Sequence, residues 1–324
     1  MPSVLIGANT LRGKAGRFRE ILVEAGLTPI DPAGDHTLDD HEMATLLPQV
    51  EAAIAGGESY GAKLLAMCPK LRVIARTGVG YDCVDVDAAT RHRIAVAITP
   101  GVNHDAVAEL AFALLLSVAK RVALNHRIVR SGGWDRTLVM PVRNKTLGLV
   151  GLGRIGRAMV PRAQAFLMDV IAYDALCPET EADRTMNIER VGFDELLERS
   201  DVVSIHCPLT PETRGWFDRD VFTRMRPGAI LLNTARGAIV VEEDLRLALL
   251  SGHLAGAGLD VLDPEPPRGD NPLLQLDQVV ISPHVAGIDT KSMADMADMA
   301  ATIVAEVLAG RTPPVGIVNT SVLS

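Results

Sequence analysis

Thr146-Leu147-Gly148-Leu149-Val150-Gly151-Leu152-Gly153-Arg154-Ile155-Gly156 is the stretch on which the fold class turns. Its first five residues carry no charge and read as a buried strand, while Ile155, Met159 and Ala163 follow at the spacing of one helix face. Gly151 suits a tight turn, Gly153 lets backbone approach a pyrophosphate, and Gly156 allows close packing of helix on strand. The helix N-terminus then faces an anion. Pro161 lies inside this helix, removes one backbone donor and predicts a local bend. Alone, the glycines read equally as a packing turn or as a dinucleotide cradle. Asp174 bears on the choice, because it ends the next strand, Asp169-Val170-Ile171-Ala172-Tyr173-Asp174, where a carboxylate accepts bonds from an adenosine ribose diol. A solvated strand-end acid is the alternative reading. An acid there repels a 2′-phosphate and no arginine directly follows it, so NAD is favoured over NADP.

Working outward, further apolar runs at Val170–Tyr173, Val202–His206, Ala229–Asn233, Gly256–Leu259 and Val279–Ile281 are separated by helix-length segments. With Thr146–Val150 they predict six strands of one doubly wound, Rossmann-type α/β domain. Upstream, Val4–Gly7, Ala52–Ala55, Arg72–Arg76 and Ile94–Ile98 alternate with helical stretches at Ala15–Ala25, Ala62–Met67 and Val86–Arg93, which predicts a smaller, flavodoxin-like α/β domain. Met293–Ala309 reads as one helix with no strand after it, returning to the first domain. The expected division is therefore 1–99 with 288–324, and 100–287, hinged near Thr99-Pro100-Gly101 and Ser282–Gly287. A length of 324 residues suits two such domains.

Composition narrows the partners. Aromatic residues make up 3% of the chain and the formal net charge is −8, which argues against a nucleic-acid surface. The longest apolar run, Ala106–Ala119, contains Glu109 and is too short to span a bilayer, and no basic-then-apolar leader is visible. Cys68, Cys83, Cys177 and Cys207 form no CxxC pair, so reduced thiols, no metal and a cytoplasmic location are expected.

Reduction of a 2-oxo acid needs a cation for the carboxylate, a proton donor beside the carbonyl oxygen, and a group that holds that donor charged. Arg236 follows the strand Ile230–Asn233 and offers a planar, permanently charged fork. His284 follows the last strand, in Ile281-Ser282-Pro283-His284, and an imidazole exchanges protons near neutrality. Glu265 sits in the stiff turn Asp263-Pro264-Glu265-Pro266-Pro267, where contact with His284 would favour the imidazolium. All three stand at strand ends, where open α/β sheets bind ligands. Each can also be an ordinary structural residue, and the sequence pattern alone leaves their convergence open.

The chain resembles the D-2-hydroxyacid dehydrogenases over nearly its whole length. The motifs that carry the resemblance are Ala75–Asp82, Thr99–Asn103 with Ala108-Glu109, Gly151–Gly156, His206–Thr210, Asn233–Gly237, Gly258–Asp260 with Glu265–Pro267, and Ser282–His284. The resemblance implies a site enclosed between a discontinuous substrate domain and the NAD domain. It implies that His284 is the acid/base, Glu265 its partner, and Arg236 the group that binds the carboxylate and polarises the carbonyl. It further implies that Arg76, Thr77, Gly78, Val79 and Gly80 cradle the substrate carboxylate beside Asn103. For NAD it implies Gly151, Gly153, Arg154, Ile155, Gly156, Asp174, His206, Thr213, Arg236 and His284, with Cys207 and Pro208 lining the adenine pocket, Thr234 and Ala235 bordering the nicotinamide and Asp260 contacting its carboxamide. A homodimer with a long helix around Glu109–Ser131 in the contact is also implied.

Within the family the chain is most similar to the 3-phosphoglycerate dehydrogenase branch, through Trp134-Asp135-Arg136 and Gly148–Arg157. It departs where an arginine would grip the phosphate: here stand Gly56-Gly57 and then Glu58, which an anionic tail disfavours. The sequence read ends at Ser324, without the regulatory extension of longer members. Glu58 is expected to be an exposed loop acid or a selector for a hydroxylated, uncharged tail. His104 tunes substrate choice or is structural, and Trp134 anchors an interface or a core. An unphosphorylated 2-hydroxy acid is therefore the expected substrate, with D-3-phosphoglycerate as the alternative. Formate chemistry is disfavoured because that branch has glutamine where Glu265 stands. A corepressor-like NAD-binding interaction protein, which shares the architecture and the three residues, is the alternative of another class.

Overall fold

A computed structural model of the protein describes residues 1–177 and 180–323. The chain divides into two compact units, Met1–Asn103 with Ile288–Ser324, and His104–Gly287.

In the first unit β1 (Ser3–Ile6), α1 (Arg17–Glu24), β2 (Thr28–Ile30), α2 (Asp40–Leu46), β3 (Ala52–Ala55), α3 (Ala62–Leu65), β4 (Val73–Arg76), α4 (Val86–Arg91) and β5 (Ala95–Ala97) follow in turn. The five strands are parallel, in the order β2-β1-β3-β4-β5. β3 is buried on both faces, as a parallel strand between helices requires. Two elements went unread in the sequence. β2 is a three-residue edge strand containing Pro29, which cannot donate to a ladder on both sides. α2 carried a sequence signal in Asp39 and Glu42: Glu42 N–H donates to Asp39 Oδ1 (2.9 Å) and Asp39 N–H to Glu42 Oε2 (3.0 Å), a reciprocal cap.

The second unit comprises α5 (His104–Ala119), α6 (Val122–Arg130), β6 (Thr146–Val150), α7 (Arg154–Ala165), β7 (Asp169–Tyr173), α8 (Glu181–Thr185), β8 (Glu189–Arg190), α9 (Phe193–Arg199), β9 (Val202–Ile205), α10 (Arg219–Arg224), β10 (Ala229–Asn233), α11 (Glu242–Leu250), β11 (Leu254–Leu259) and β12 (Val279–Ile281). Its seven parallel strands run β12-β11-β10-β9-β6-β7-β8, so the order reverses between β6 and β9, where such sheets open a crevice. The seventh strand, beyond the six expected, is β8; two polar residues at a sheet edge give no hydrophobic run. The long helix expected around Glu109–Ser131 is instead two, because Arg121 adopts a left-handed backbone (φ 53°) between α5 and α6. α7 continues through Pro161. α5 lies close on β11: a Cβ at Gly256 would fall 2.5 Å from Val118 Cγ1, and one at Gly258 2.9 Å from Leu114 Cβ.

The last helix, α12 (Thr290–Leu308), is capped by Asp289, whose carboxylate accepts from Ser292 N–H (2.6 Å). Ala297, Ala300, Ala301 and Val304 join the first unit's core with Ile6 and Val73. The segment after it is fixed by Asn319, which accepts from Val96 N–H (2.7 Å) and donates to Ile94 O and Thr90 Oγ1 (each 2.9 Å). Removing that side chain strands a buried N–H and a buried carbonyl. Asn319→Ala is expected to lower the unfolding free energy by about 1–3 kcal/mol in denaturant titrations, and an unchanged midpoint would contradict this account.

Candidate active site

The glycine turn lies at the β6/β9 reversal. Gly151 has φ 99°, and a Cβ there would fall 2.7 Å from Cys207 N, so only glycine fits against the end of β9. Its N–H donates to Tyr173 O (2.8 Å), and His206 N–H donates to Val150 O (2.7 Å). A Cβ at Gly156 would fall 2.3 Å from Gly151 O, which keeps α7 close to the turn; the Cβ position of Gly153 is open, with nothing within 4 Å. Gly153 caps a twelve-residue helix that begins with Arg154 and Ile155. Asp174 accepts from Leu152 N–H (2.7 Å), Leu176 N–H (2.9 Å) and Cys177 N–H (2.8 Å). Burial alone would raise its pKa, but these donors and the charge of Arg190 outweigh burial and hold it below the usual carboxylate range. Thr213 Oγ1 donates to Pro208 O (2.7 Å) and accepts from Thr210 N–H (2.8 Å), closing the turn after His206-Cys207-Pro208. Burial pushes the Cys207 thiol up to about 11 and the His206 imidazole down to about 4, so both are neutral near pH 7. Among the described residues His206 Nδ1 and Thr234 Oγ1 are buried without a hydrogen-bond partner. An open glycine cradle at a helix N-terminus, an ionised strand-end acid and two unpartnered polar atoms fit a dinucleotide.

On the same edge, His284 Nδ1 meets Glu265 Oε2 at 2.6 Å. Glu265 also accepts from Leu262 N–H through Oε1 (3.1 Å), so its carboxylate is tied at both ends. His284 has a left-handed backbone (φ 54°), held by its own N–H on Asp260 O (2.8 Å). The buried Asp260 carboxylate accepts from Ser282 Oγ (2.6 Å), Val285 N–H (3.0 Å) and Ala286 N–H (2.8 Å), bonds that flank His284 on both sides. Arg236 follows β10, with its carbonyl taking Asn233 Nδ2 (2.9 Å) and its Nη1 donating to Ala235 O (2.7 Å). Gly237 packs on the backbone of Leu262, with a Cβ position 2.1 Å from that carbonyl, so the Arg236 segment touches the residue that Glu265 caps. The three residues thus stand after the adjacent strands β10, β11 and β12.

In the first unit the Arg76–Gly80 loop leaves β4. Thr77 places its N–H (2.9 Å) and Oγ1 (3.1 Å) on Ala55 O, Gly78 N–H donates to Thr99 Oγ1 (2.9 Å), and Arg76 Nε donates to Gly80 O (3.0 Å). Asn103 is buried and ends this part of the unit. Glu58 is not the exposed loop acid expected: it is 1% exposed, because Gly56 N–H (2.7 Å) and the nearby Arg12 guanidinium (3.9 Å) make burial of its charge tolerable. Trp134 is 76% exposed and anchors no core. His104 opens α5 with Nε2 3.6 Å from Asp105 Oδ2.

A family model described as D-isomer specific 2-hydroxyacid dehydrogenase, NAD binding domain, matches residues 112–286. The chain belongs to this family. A glyoxylate reductase of Korarchaeum cryptofilum is 41% identical over 268 residues, covering 81% of this chain and 80% of its own. A D-3-phosphoglycerate dehydrogenase of Mycobacterium leprae is 41% identical over 271 residues, covering 83% of this chain and 50% of its own. Among solved structures, TT0316 protein of Thermus thermophilus superposes with TM-score 0.88 at 38% identity, covering 98% of this chain and 100% of that one. The protein is thus an NAD-dependent 2-hydroxyacid dehydrogenase.

Several residues around this dehydrogenase's site were not legible in its sequence. Glu242 accepts from Asp263 N–H (2.9 Å) and Asn271 Nδ2 (2.6 Å), steadying the loop that carries Glu265; it lies 21 and 29 residues away with no motif of its own. Ser282 was read as part of a motif, not as an Asp260 ligand. Asp260, assigned by resemblance to the nicotinamide, already holds three donors of its own chain. Asp260→Asn turns one acceptor into a donor facing N–H groups, and is expected to lower kcat by about ten- to a hundredfold. Steady-state rates check it; a kcat within twofold of the parent would exclude this clamp.

Proposed function

We propose that the protein reduces a small, unphosphorylated 2-oxo acid such as glyoxylate, hydroxypyruvate or a longer polyol acid, and that Arg236, Glu265 and His284 carry the reaction. The observation that supports this most is the 2.6 Å contact between His284 and Glu265, one strand end from Arg236. The His104–Gly287 unit is the NAD domain in this reading and the other unit the substrate domain. Gly151–Gly156 and Asp174 hold the pyrophosphate and ribose, while His206, Cys207, Pro208, Thr213, Thr234 and Ala235 line the rest of the cofactor's path. NADH, held by these residues, would supply the hydride for the carbonyl carbon. Arg236 holds the carboxylate and draws charge toward the carbonyl oxygen. His284 gives a proton to that oxygen, and Glu265, 2.6 Å from its Nδ1, orients the ring. Arg76–Gly80 and Asn103 take the carboxylate's other contacts.

The 3-phosphoglycerate dehydrogenase relatives favour a phosphorylated acid instead, while the glyoxylate reductase relatives favour an unphosphorylated one. Following NADH absorbance over a panel of 2-oxo acids tests the proposal: turnover is expected, strongest on unphosphorylated acids. Arg236→Ala and His284→Ala should each lose roughly a hundred- to ten-thousandfold in kcat/KM. Undiminished rates in either variant, or a strong preference for phosphohydroxypyruvate, would overturn it. Tight NADH binding with no turnover would favour the interaction-protein reading.

The protein further acts as a homodimer in this reading. Val122 and Val129 on α6, and Trp134, Leu138 and Val139 after it, are exposed apolar side chains, with Leu138 at 96%. Five exposed apolar side chains within 18 residues support a protein contact there. Sedimentation at micromolar concentration should give twice the chain mass, and Trp134→Glu with Leu138→Glu should give monomer; a monomeric parent would refute the dimer.

A further inference from the structure

We propose that Glu58 is a positioning residue for the substrate carboxylate, acting through Tyr60 and Arg76 on the Arg76–Gly80 loop. The inference rests on the reading that this loop receives the carboxylate. Glu58 and Tyr60 are both buried, at 1% and 0% exposure. Glu58 Oε2 is fixed by Gly56 N–H (2.7 Å), whereas Oε1 is buried with no hydrogen-bond partner among the described residues. Arg12 does not fill that role. It stands 3.9 Å from Oε1 and spends its donors on backbone carbonyls, including Ile6 O (3.3 Å) and His36 O (2.8 Å). It offsets the charge of Glu58 and leaves the lone pair free.

Two further unpartnered buried atoms belong with this one: the Tyr60 hydroxyl and Arg76 Nη1. The Tyr60 backbone is pinned by its N–H on Cys83 O (2.8 Å) and by Asp85 N–H on its carbonyl (3.0 Å), and its ring is wholly buried. Burial, then the Glu58 charge, push the phenol well above its ordinary range, and it keeps its proton; the Arg76 charge acts on it in the opposite sense. A carboxylate oxygen only accepts, a guanidinium only donates, and a phenol does both. The three atoms are thus chemically complementary, and both charges act on the Tyr60 phenol; the proposed line joins them, Arg76 to Tyr60 to Glu58.

The line ends on the loop. Arg76 Nε holds Gly80 O (3.0 Å), so where the guanidinium rests fixes the far end of the loop. The near end has its own anchors in Thr77 and Gly78, which do not involve Glu58. Loss of the line therefore loosens half of the cradle without unfolding the unit.

Glu58→Gln and Tyr60→Phe keep shape and remove the charge or the hydroxyl. Each is expected to raise KM for glyoxylate about tenfold, with kcat and KM for NADH within twofold. The double variant should rise no further than either single one, since both break the same line. A purely structural role would lower the unfolding temperature and leave KM for glyoxylate unchanged, and that result overturns the proposal, as do additive effects. Should Glu58→Gln not fold, Tyr60→Phe decides alone. If the parent reduces no 2-oxo acid, the reductase reading falls and this inference with it; if the parent is active and the folded variants keep its KM, only this inference falls.

Discussion

In a parallel sheet every strand leaves through the same edge, and the chain must cross back over a face before it can enter again. Both sheets here obey that constraint in full, with five strands in one and seven in the other. Loops that need not return immediately to the sheet collect at the carboxyl edges. That is where Gly151–Gly156, Asp174, His206, Arg236, Glu265 and His284 stand in one unit, and Glu58 and Arg76 in the other. The chemistry was not brought together by long loops reaching inward. It follows from strand direction, and the loops need only be short and well held.

What holds them is a repeated device, a carboxylate that accepts backbone N–H groups. Asp174 ties the glycine turn, Asp260 ties the segment around His284, Glu265 caps Leu262, Glu242 steadies the proline-rich loop and Glu58 fixes Gly56. A carboxylate has about four lone-pair directions and can join segments that no ladder reaches. Bonds to a charged acceptor are stronger than neutral ones, each worth roughly 1.5–3 kcal/mol. The left-handed backbone of His284 persists because the Asp260 bonds on either side of it leave little alternative.

The sequence exposed those features whose cause is local. The strand, the three glycines and the helix after them are contiguous, and both series of long strands announce themselves by apolar runs. The three residues proposed for catalysis were nameable through motifs at strand ends, although nothing in their spacing shows that His284 and Glu265 touch. What stayed hidden was decided by distant partners or by brevity. β2 and β8 are too short to show a period, and Arg121 breaks a helix that composition alone would continue. Glu58 looked like a surface acid because Arg12, which makes its burial tolerable, lies forty-six positions earlier.

The bonds of Asp174 bear on how cofactor preference can change. Asp174, which we propose reads the adenosine ribose, also receives Leu152 N–H, in the middle of the glycine turn, and Leu176 and Cys177 N–H beyond it. In that reading a small neutral residue at 174 would remove the repulsion toward a 2′-phosphate and, in the same step, untie the glycine turn. Discrimination between the two dinucleotides and the shape of the cradle are thus one trait in this chain, and drift from one cofactor to the other would need a second substitution that supplies Leu152 with a new acceptor.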